Sequence, residues 1–145
     1  GAIKNVIALA VGISIGMGYG ENTQAMLITR GLNEVARLCA AHGSDPLSAA
    51  GLAGMGDLVA TCGSPLSRNR TFGELLGKTG SMEMAIAQGA KTVEGVASAA
   101  AIRELAHRVG VEVPIIEVVA DVVRDRISPS EGITRLMTVS MAAEI

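Results

Sequence analysis

Lys4 stands just ahead of a long apolar run, Val6 to Gly20, that only Ser14 and Tyr19 interrupt. An ammonium group held beside a low-polarity wall loses hydration, which disfavours its charged form and lowers its pKa. A lysine so placed can take and give a proton near neutral pH. The same position equally suits a lysine that snorkels from a helix start. Asp57 lies in the stretch from Gly54 to Cys62, between glycines and an apolar run. A lone carboxylate there can orient a substrate hydroxyl or the lysine, or it can cap a short helix.

A third group runs from Ser64 to Arg70 and gathers Ser67, Arg68 and Asn69 in what reads as the first turn of a helix, with Ser67 its cap. Free backbone N–H groups, the positive end of the helix dipole and a guanidinium together make a phosphate site. A cation in a first turn is unfavourable for the helix itself, so its presence points to an anionic ligand. Glu94, following Thr92 and Val93, is by itself only an acid at a helix start. His42 and His107 are far apart and have no metal-ligand company, which leaves them structural or surface residues. Cys39 and Cys62 form no CxxC pair, and free thiols in a reduced, intracellular protein are the simplest reading. No metal site and no serine or cysteine triad is suggested.

The elements that must position these residues are helical. From Asn22 to His42, residues Ala25, Ile28, Leu32, Val35 and Cys39 fall on one face, with Arg30, Asn33, Glu34 and Arg37 largely off it. Gly43 closes that segment, and Asp45-Pro46 restarts a helix. Between Glu94 and Val109 the apolar stripe is Val96, Ala99, Ile102, Leu105 and Val109, with Glu104 and Arg108 as an i,i+4 pair on the other side. From Ile115 to Arg126 the buried face is Val118, Val119, Val122 and Val123. Its β-branched residues also suit a strand, but Pro114 in front favours a helix. Ser81 is a further N-cap, and Ser128-Pro129-Ser130-Glu131 is a capping box that starts a final helix near Pro129. Nothing else alternates with period two for long, so residues 1–145 read as one all-α domain without repeat or linker.

Composition agrees. Of 145 residues 49% are hydrophobic, yet there is one Tyr, one Phe and no Trp, so the core is built from Ala, Val, Ile, Leu and Met. A net charge of −2 gives no electrostatic reason to bind nucleic acid. The chain shows no secretory signal pattern. The apolar opening falls short of the ~20 residues of a membrane span and lacks a basic flank, which makes it a buried core helix. Its glycines, Gly12, Gly16, Gly18 and Gly20, do not form a nucleotide loop, because a GxGxxG pattern from Gly16 meets Glu21. Gly12 and Gly16 instead permit close backbone approach, and Gly18 and Gly20 mark the bend into the second helix.

With these residues in view, several segments resemble the bacterial NAD(P)-dependent glycerol-3-phosphate dehydrogenase family. They are Ala2 to Val6, Gly20 to Thr23, Leu27 to Gly31, Leu52 to Leu58, Thr61-Cys62, Ser64 to Arg70 and Val93 to Gly95, in the same order. The resemblance implies a multi-helical substrate-binding domain of the 6-phosphogluconate dehydrogenase C-terminal-like type. It implies reversible reduction of dihydroxyacetone phosphate to sn-glycerol 3-phosphate with NAD(P)H, for phospholipid synthesis in the cytoplasm. On it, Lys4 is the proton donor and acceptor and also binds substrate. Asn5, Asp57, Thr61, Ser67, Arg68 and Asn69 join it around the substrate, and Arg68, Thr92 and Glu94 contact the cofactor. The family's N-terminal Rossmann domain, which would bind most of the cofactor and read its 2′-phosphate, is expected as this chain's partner. A homodimer is a further possibility that the apolar excess suggests. The competing expectation is a non-catalytic helical interaction or dimerisation domain that kept the fold. The combination of Lys4, Asp57, Arg68 and Asn69 speaks against it, since packing alone does not require that set.

Overall fold

The computed structural model describes residues 2–41 and 65–144. Among them are seven helices and no strand: α1 (Ala2–Gly16), α2 (Glu21–Ala41), α3 (Pro65–Thr79), α4 (Met82–Ala87), α5 (Glu94–Val109), α6 (Pro114–Val122) and α7 (Pro129–Glu144). The all-α expectation holds, and so do the helix starts at Pro114 and Pro129. No described helix is long and apolar enough to cross a membrane.

α1 is the axis of the molecule. Val6, Ile7 and Leu9 are fully buried, and buried Ser14 satisfies its hydroxyl by donating to the Val11 carbonyl at 2.7 Å. α3 lies against α1 with no side-chain layer between them. A methyl group added at Gly12 would stand 2.1 Å from the Arg70 carbonyl oxygen, and one at Gly16 would stand 2.0 Å from that of Glu74. From the other side, Gly73 faces the Leu9 carbonyl at 2.4 Å and Gly77 that of Ile13 at 2.3 Å. Residue numbers rise together along this seam, so the two helices run parallel and their first turns lie side by side. Gly18, with a φ of +90°, takes the left-handed conformation that ends α1, a role that Gly20 does not share.

α2 departs from the expected stripe. Its buried row is Leu27, Gly31, Glu34 and Leu38, with Leu32 and Val35 beside it, while Ala25 is exposed. Gly31 lets the Ile7 side chain approach within 2.8 Å of where a Cβ would be. Glu34, expected on the polar side, is only 2% exposed. The reason lies at α6, whose N-cap Val113 has no side-chain oxygen to offer. The Glu34 carboxylate accepts from the backbone N–H groups of Ile115 at 2.9 Å and Ile116 at 3.3 Å instead. Burial pushes its pKa up to about 7, against the opposing pull of those N–H groups and of Arg37 and Arg30.

Two caps are local, as the sequence suggests. Ser81 accepts from the N–H of Met84 and Ser128 from that of Glu131, both at 3.1 Å. Ser67 is not a cap, because α3 begins two residues earlier at Pro65 and places it inside the first turn. Asp125, in the left-handed region at φ 54°, reaches across to accept from Met82 N–H at 2.8 Å and Glu83 N–H at 3.2 Å. Side-chain contacts also join α5 to α6. Arg103 meets Asp121 at 2.9 Å, and His107 meets Glu117. This agrees with His107 as a surface residue. The expected Gly43 stop and Asp45-Pro46 start, together with His42 and Cys62, lie outside the described residues, whereas Cys39 is a half-buried free thiol.

Candidate functional site where α1, α3 and α5 meet

The parallel α1–α3 seam sets Lys4 and Asn5, in the first turn of α1, beside the first turns of α3 with Ser67, Arg68 and Asn69. α5 brings its own start to the same place. Its second residue, Gly95, has no Cβ. A methyl group there would stand 2.4 Å from Asn69 Oδ1 and 3.0 Å from the Asn5 carbonyl oxygen. The starts of α3 and α5, with their first-turn N–H groups and positive dipole ends, therefore meet beside residues 4–5 of α1. Lys4 and Asn5 are half-buried at this junction.

Asn69 is fully buried and joins α3 to α5. Its Oδ1 accepts from Gly95 N–H at 2.8 Å, which caps a helix whose own N-cap, Val93, has no side-chain oxygen. Its Nδ2 donates to Glu94 Oε2 at 3.4 Å, while Arg68 Nη2 donates to Glu94 Oε1 at 3.0 Å. Each oxygen of Glu94 thus has one partner from α3. The N–H of Glu94 itself, and then the Arg68 guanidinium, hold this exposed carboxyl below its ordinary pKa. The unfavourable charge of Arg68 in the first turn of α3 is met by Glu94, not left for a ligand alone.

Beside the Arg68–Glu94 pair opens a groove of about 780 Å³. One wall is a face of α3 from Ser67 and Arg68 through Thr71 and Leu75 to Lys78, and the other is the stretch Ala90 to Glu94. Of the residues singled out in the sequence, Ser67, Arg68, Thr92 and Glu94 line this groove. Lys4 and Asn5 flank the junction, and Asn69 is buried behind it. Asp57 and Thr61 lie outside the described residues. Among the described residues no group of acids, histidines and cysteines could hold a metal ion. Sequence reasoning missed the steric role of Gly95 and the groove lysines Lys78 and Lys91. The spacing of Arg68, Thr71, Leu75 and Lys78 along one helical face was the available signal for the groove.

Comparison with known proteins gives this geometry a family. The model of the NAD-dependent glycerol-3-phosphate dehydrogenase C-terminus matches residues 1–134. Glycerol-3-phosphate dehydrogenase (NAD(P)+) of Thermobifida fusca is 54% identical over 144 residues, which cover 99% of this chain and 43% of that protein. The protein of the same name from Corynebacterium glutamicum is 55% identical over 145 residues and is covered to 44%. A crystal structure of glycerol-3-phosphate dehydrogenase from Coxiella burnetii superposes with a TM-score of 0.80 at 37% identity, over 94% of this chain and 42% of that one. The chain spans less than half the length of these oxidoreductases, and the described residues of the shared part form helices joined by turns, with no strand. On the match over nearly its whole length, the chain belongs to the NAD-dependent glycerol-3-phosphate dehydrogenase C-terminus family.

Proposed function

We propose that this chain is the substrate- and proton-handling half of an enzyme that reversibly reduces dihydroxyacetone phosphate to sn-glycerol 3-phosphate with NAD(P)H. In this reading it works in the cytoplasm, supplying phospholipid synthesis, and a Rossmann domain carries most of the cofactor. The observation that supports it is the meeting of the α3 and α5 starts, joined by the Arg68–Glu94 pair, beside the segment of α1 that carries Lys4. Helix starts and a guanidinium suit a phosphate ester. A lysine at the same junction suits a carbonyl oxygen that must gain a proton.

The groove walls fit a nicotinamide dinucleotide, offering cations for its phosphates, the Glu94 carboxylate for ribose hydroxyls, and Phe72, Leu75 and Val93 as apolar surface. When bound, that cofactor supplies the hydride. The chain's own residues do the rest. Lys4 delivers a proton to the C2 oxygen in one direction and removes it in the other. Arg68, Ser67 and the α3 N–H groups hold the phosphate, with Asn5, Asp57, Thr61 and Asn69 completing the substrate's surroundings. Glu94, held by Asn69, fixes the guanidinium and with Thr92 borders the cofactor. Positioning of this kind lowers the barrier without any covalent intermediate on the protein.

The test uses a two-domain chimera in which this chain replaces the matching segment of the Thermobifida fusca relative. Lys4→Ala is expected to cut kcat by roughly 100-fold or more, the range of a lost general acid–base group. Arg68→Ala is expected mainly to raise KM for dihydroxyacetone phosphate. Two variants indistinguishable from the parent chimera would defeat the assignment. So would vigorous NADPH oxidation by the 145-residue chain alone, which is expected to have little or no activity.

A further inference from the structure

Arg68 and Glu94 meet through one hydrogen bond, from Arg68 Nη2 to Glu94 Oε1 at 3.0 Å. The two partners are not equally free. Glu94 is held from behind, because its own N–H and the amide of fully buried Asn69 both donate to the carboxylate. Asn69 is itself fixed on the N–H of Gly95. The Arg68 side chain is 56% exposed, and among the described residues Glu94 is its one charged partner. Of the pair, the guanidinium is therefore the member that can turn. A phosphate ester at the start of α3 offers oxygens to the same guanidinium. Carboxylate and phosphate are then rival acceptors for one cation.

We propose that Glu94 is a positioning residue for Arg68 that competes with the substrate phosphate, so that the ion pair loosens when a phosphate ester binds. The proposal rests on the reading that Arg68 clamps that phosphate. Its consequence is that the site holds phosphate esters more weakly than its cation would by itself. Exposure is what makes the exchange possible: an ion pair in water is weak, whereas a buried one would lock the guanidinium in place. Moderation of this kind suits a reversible reaction in which substrate and product carry the same phosphate. Tighter binding of a group that does not react strengthens ground state and transition state alike and adds nothing to kcat.

Binding, and not turnover, is the direct readout. In the two-domain chimera, the dissociation constant of sn-glycerol 3-phosphate is measured by calorimetry without cofactor. The parent is compared with Glu94→Gln, Arg68→Ala and the double variant. Glu94→Gln keeps the shape of the side chain and is expected to bind roughly threefold to fivefold more tightly, the weight of an exposed ion pair. A gain in affinity is not what a damaged fold produces. Unchanged or weaker binding by Glu94→Gln overturns the proposal. The double variant tells competition from simple repulsion. If Glu94 acts through Arg68, Glu94→Gln makes no difference once Arg68 is replaced by alanine. The same gain in that background would mean that the carboxylate repels phosphate across space, and the proposal falls. Arg68→Ala alone separates the two levels of inference, since it should weaken binding roughly tenfold or more. If it does so while Glu94→Gln fails to tighten binding, only the competition fails. If Arg68→Ala binds like the parent, the phosphate clamp itself fails, and the competition with it.

Discussion

Two glutamates, Glu34 and Glu94, meet the same kind of partner and respond in opposite ways. Each carboxylate lies at the start of a helix whose N-cap is a valine without a capping oxygen. Glu94 is the first residue of its own helix, exposed and bonded to Arg68, and its pKa falls. Glu34 reaches α6 from α2, is buried, and its pKa rises to about 7. Helix starts favour negative charge in both cases, so the dipole does not decide the outcome. Water does. Where hydration is kept, the N–H groups and guanidinium hold the carboxylate ionised; where it is lost, desolvation outweighs two N–H donors and two nearby arginines. One glutamate is thus suited to facing a ligand, the other to joining helices.

Removing each carboxylate gives the largest expected contrast. At pH 5, where Glu34 is protonated, Glu34→Ala orphans the buried N–H groups of Ile115 and Ile116 and opens a hole. A loss of about 3 kcal/mol follows from these penalties, to be read from urea unfolding. Glu94→Ala should unfold near the parent midpoint, because water replaces the lost carboxylate. Equal midpoints for the two variants would break the comparison.

The pH dependence of stability sharpens it. Glu34 has a folded pKa of about 7 against an ordinary 4.5, so the folded state holds the extra proton between those values. Its stabilising contribution is complete below pH 4.5, is lost as pH rises toward 7, and changes no further above that. The span corresponds to roughly 3 kcal/mol. Glu94, with a lowered pKa, acts in the other window: its contribution is present above the ordinary carboxyl range and disappears as pH falls through its folded pKa. Urea midpoints collected from pH 4 to 8 should therefore decline toward 7 in the parent and lose most of that decline in Glu34→Gln. A Glu34→Gln profile with the parent's slope would assign the titration elsewhere.

A smaller effect is expected at Gly95, on the Glu94 side. An alanine methyl would press on Asn69 Oδ1 and the Asn5 carbonyl, and overpacking of this kind costs about 1–3 kcal/mol. Because Asn69 also holds Glu94, Gly95→Ala in the chimera should weaken NADPH binding by more than its loss of stability explains. Unchanged nucleotide affinity in a folded Gly95→Ala protein would show that the Asn69 link does not position Glu94.

Much of this arrangement was legible along the chain, and what was not shares one cause. Helix starts at Pro114 and Pro129, and the serine caps at Ser81 and Ser128, depend on neighbours within a turn, so local spacing revealed them. The α2 stripe was misread because the burial of Glu34 is decided by N–H groups 81 and 82 residues away. At the site, Ser67, Arg68 and Asn69 were recognisable as a first-turn group. That Asn69 turns inward to cap α5, and that Glu94 answers Arg68, follows from contacts 25 and 26 residues apart in sequence. Gly12 and Gly16 suggested close approach, but their partners Gly73 and Gly77, at the same four-residue spacing, only gain meaning once α3 lies parallel to α1.

That seam has a mechanical consequence. Helices separated by side chains can slide by rotamer changes, each small and cheap. α1 and α3 have carbonyl oxygens seated where side chains would be, so no rotamer change can absorb a shift between them. The helix carrying Lys4 and the helix carrying Arg68 are in effect one rod. If Lys4 and Arg68 act as proposed, whatever closes over them must swing against that rod as a whole, and the spacing between the two helices that carry them stays unchanged.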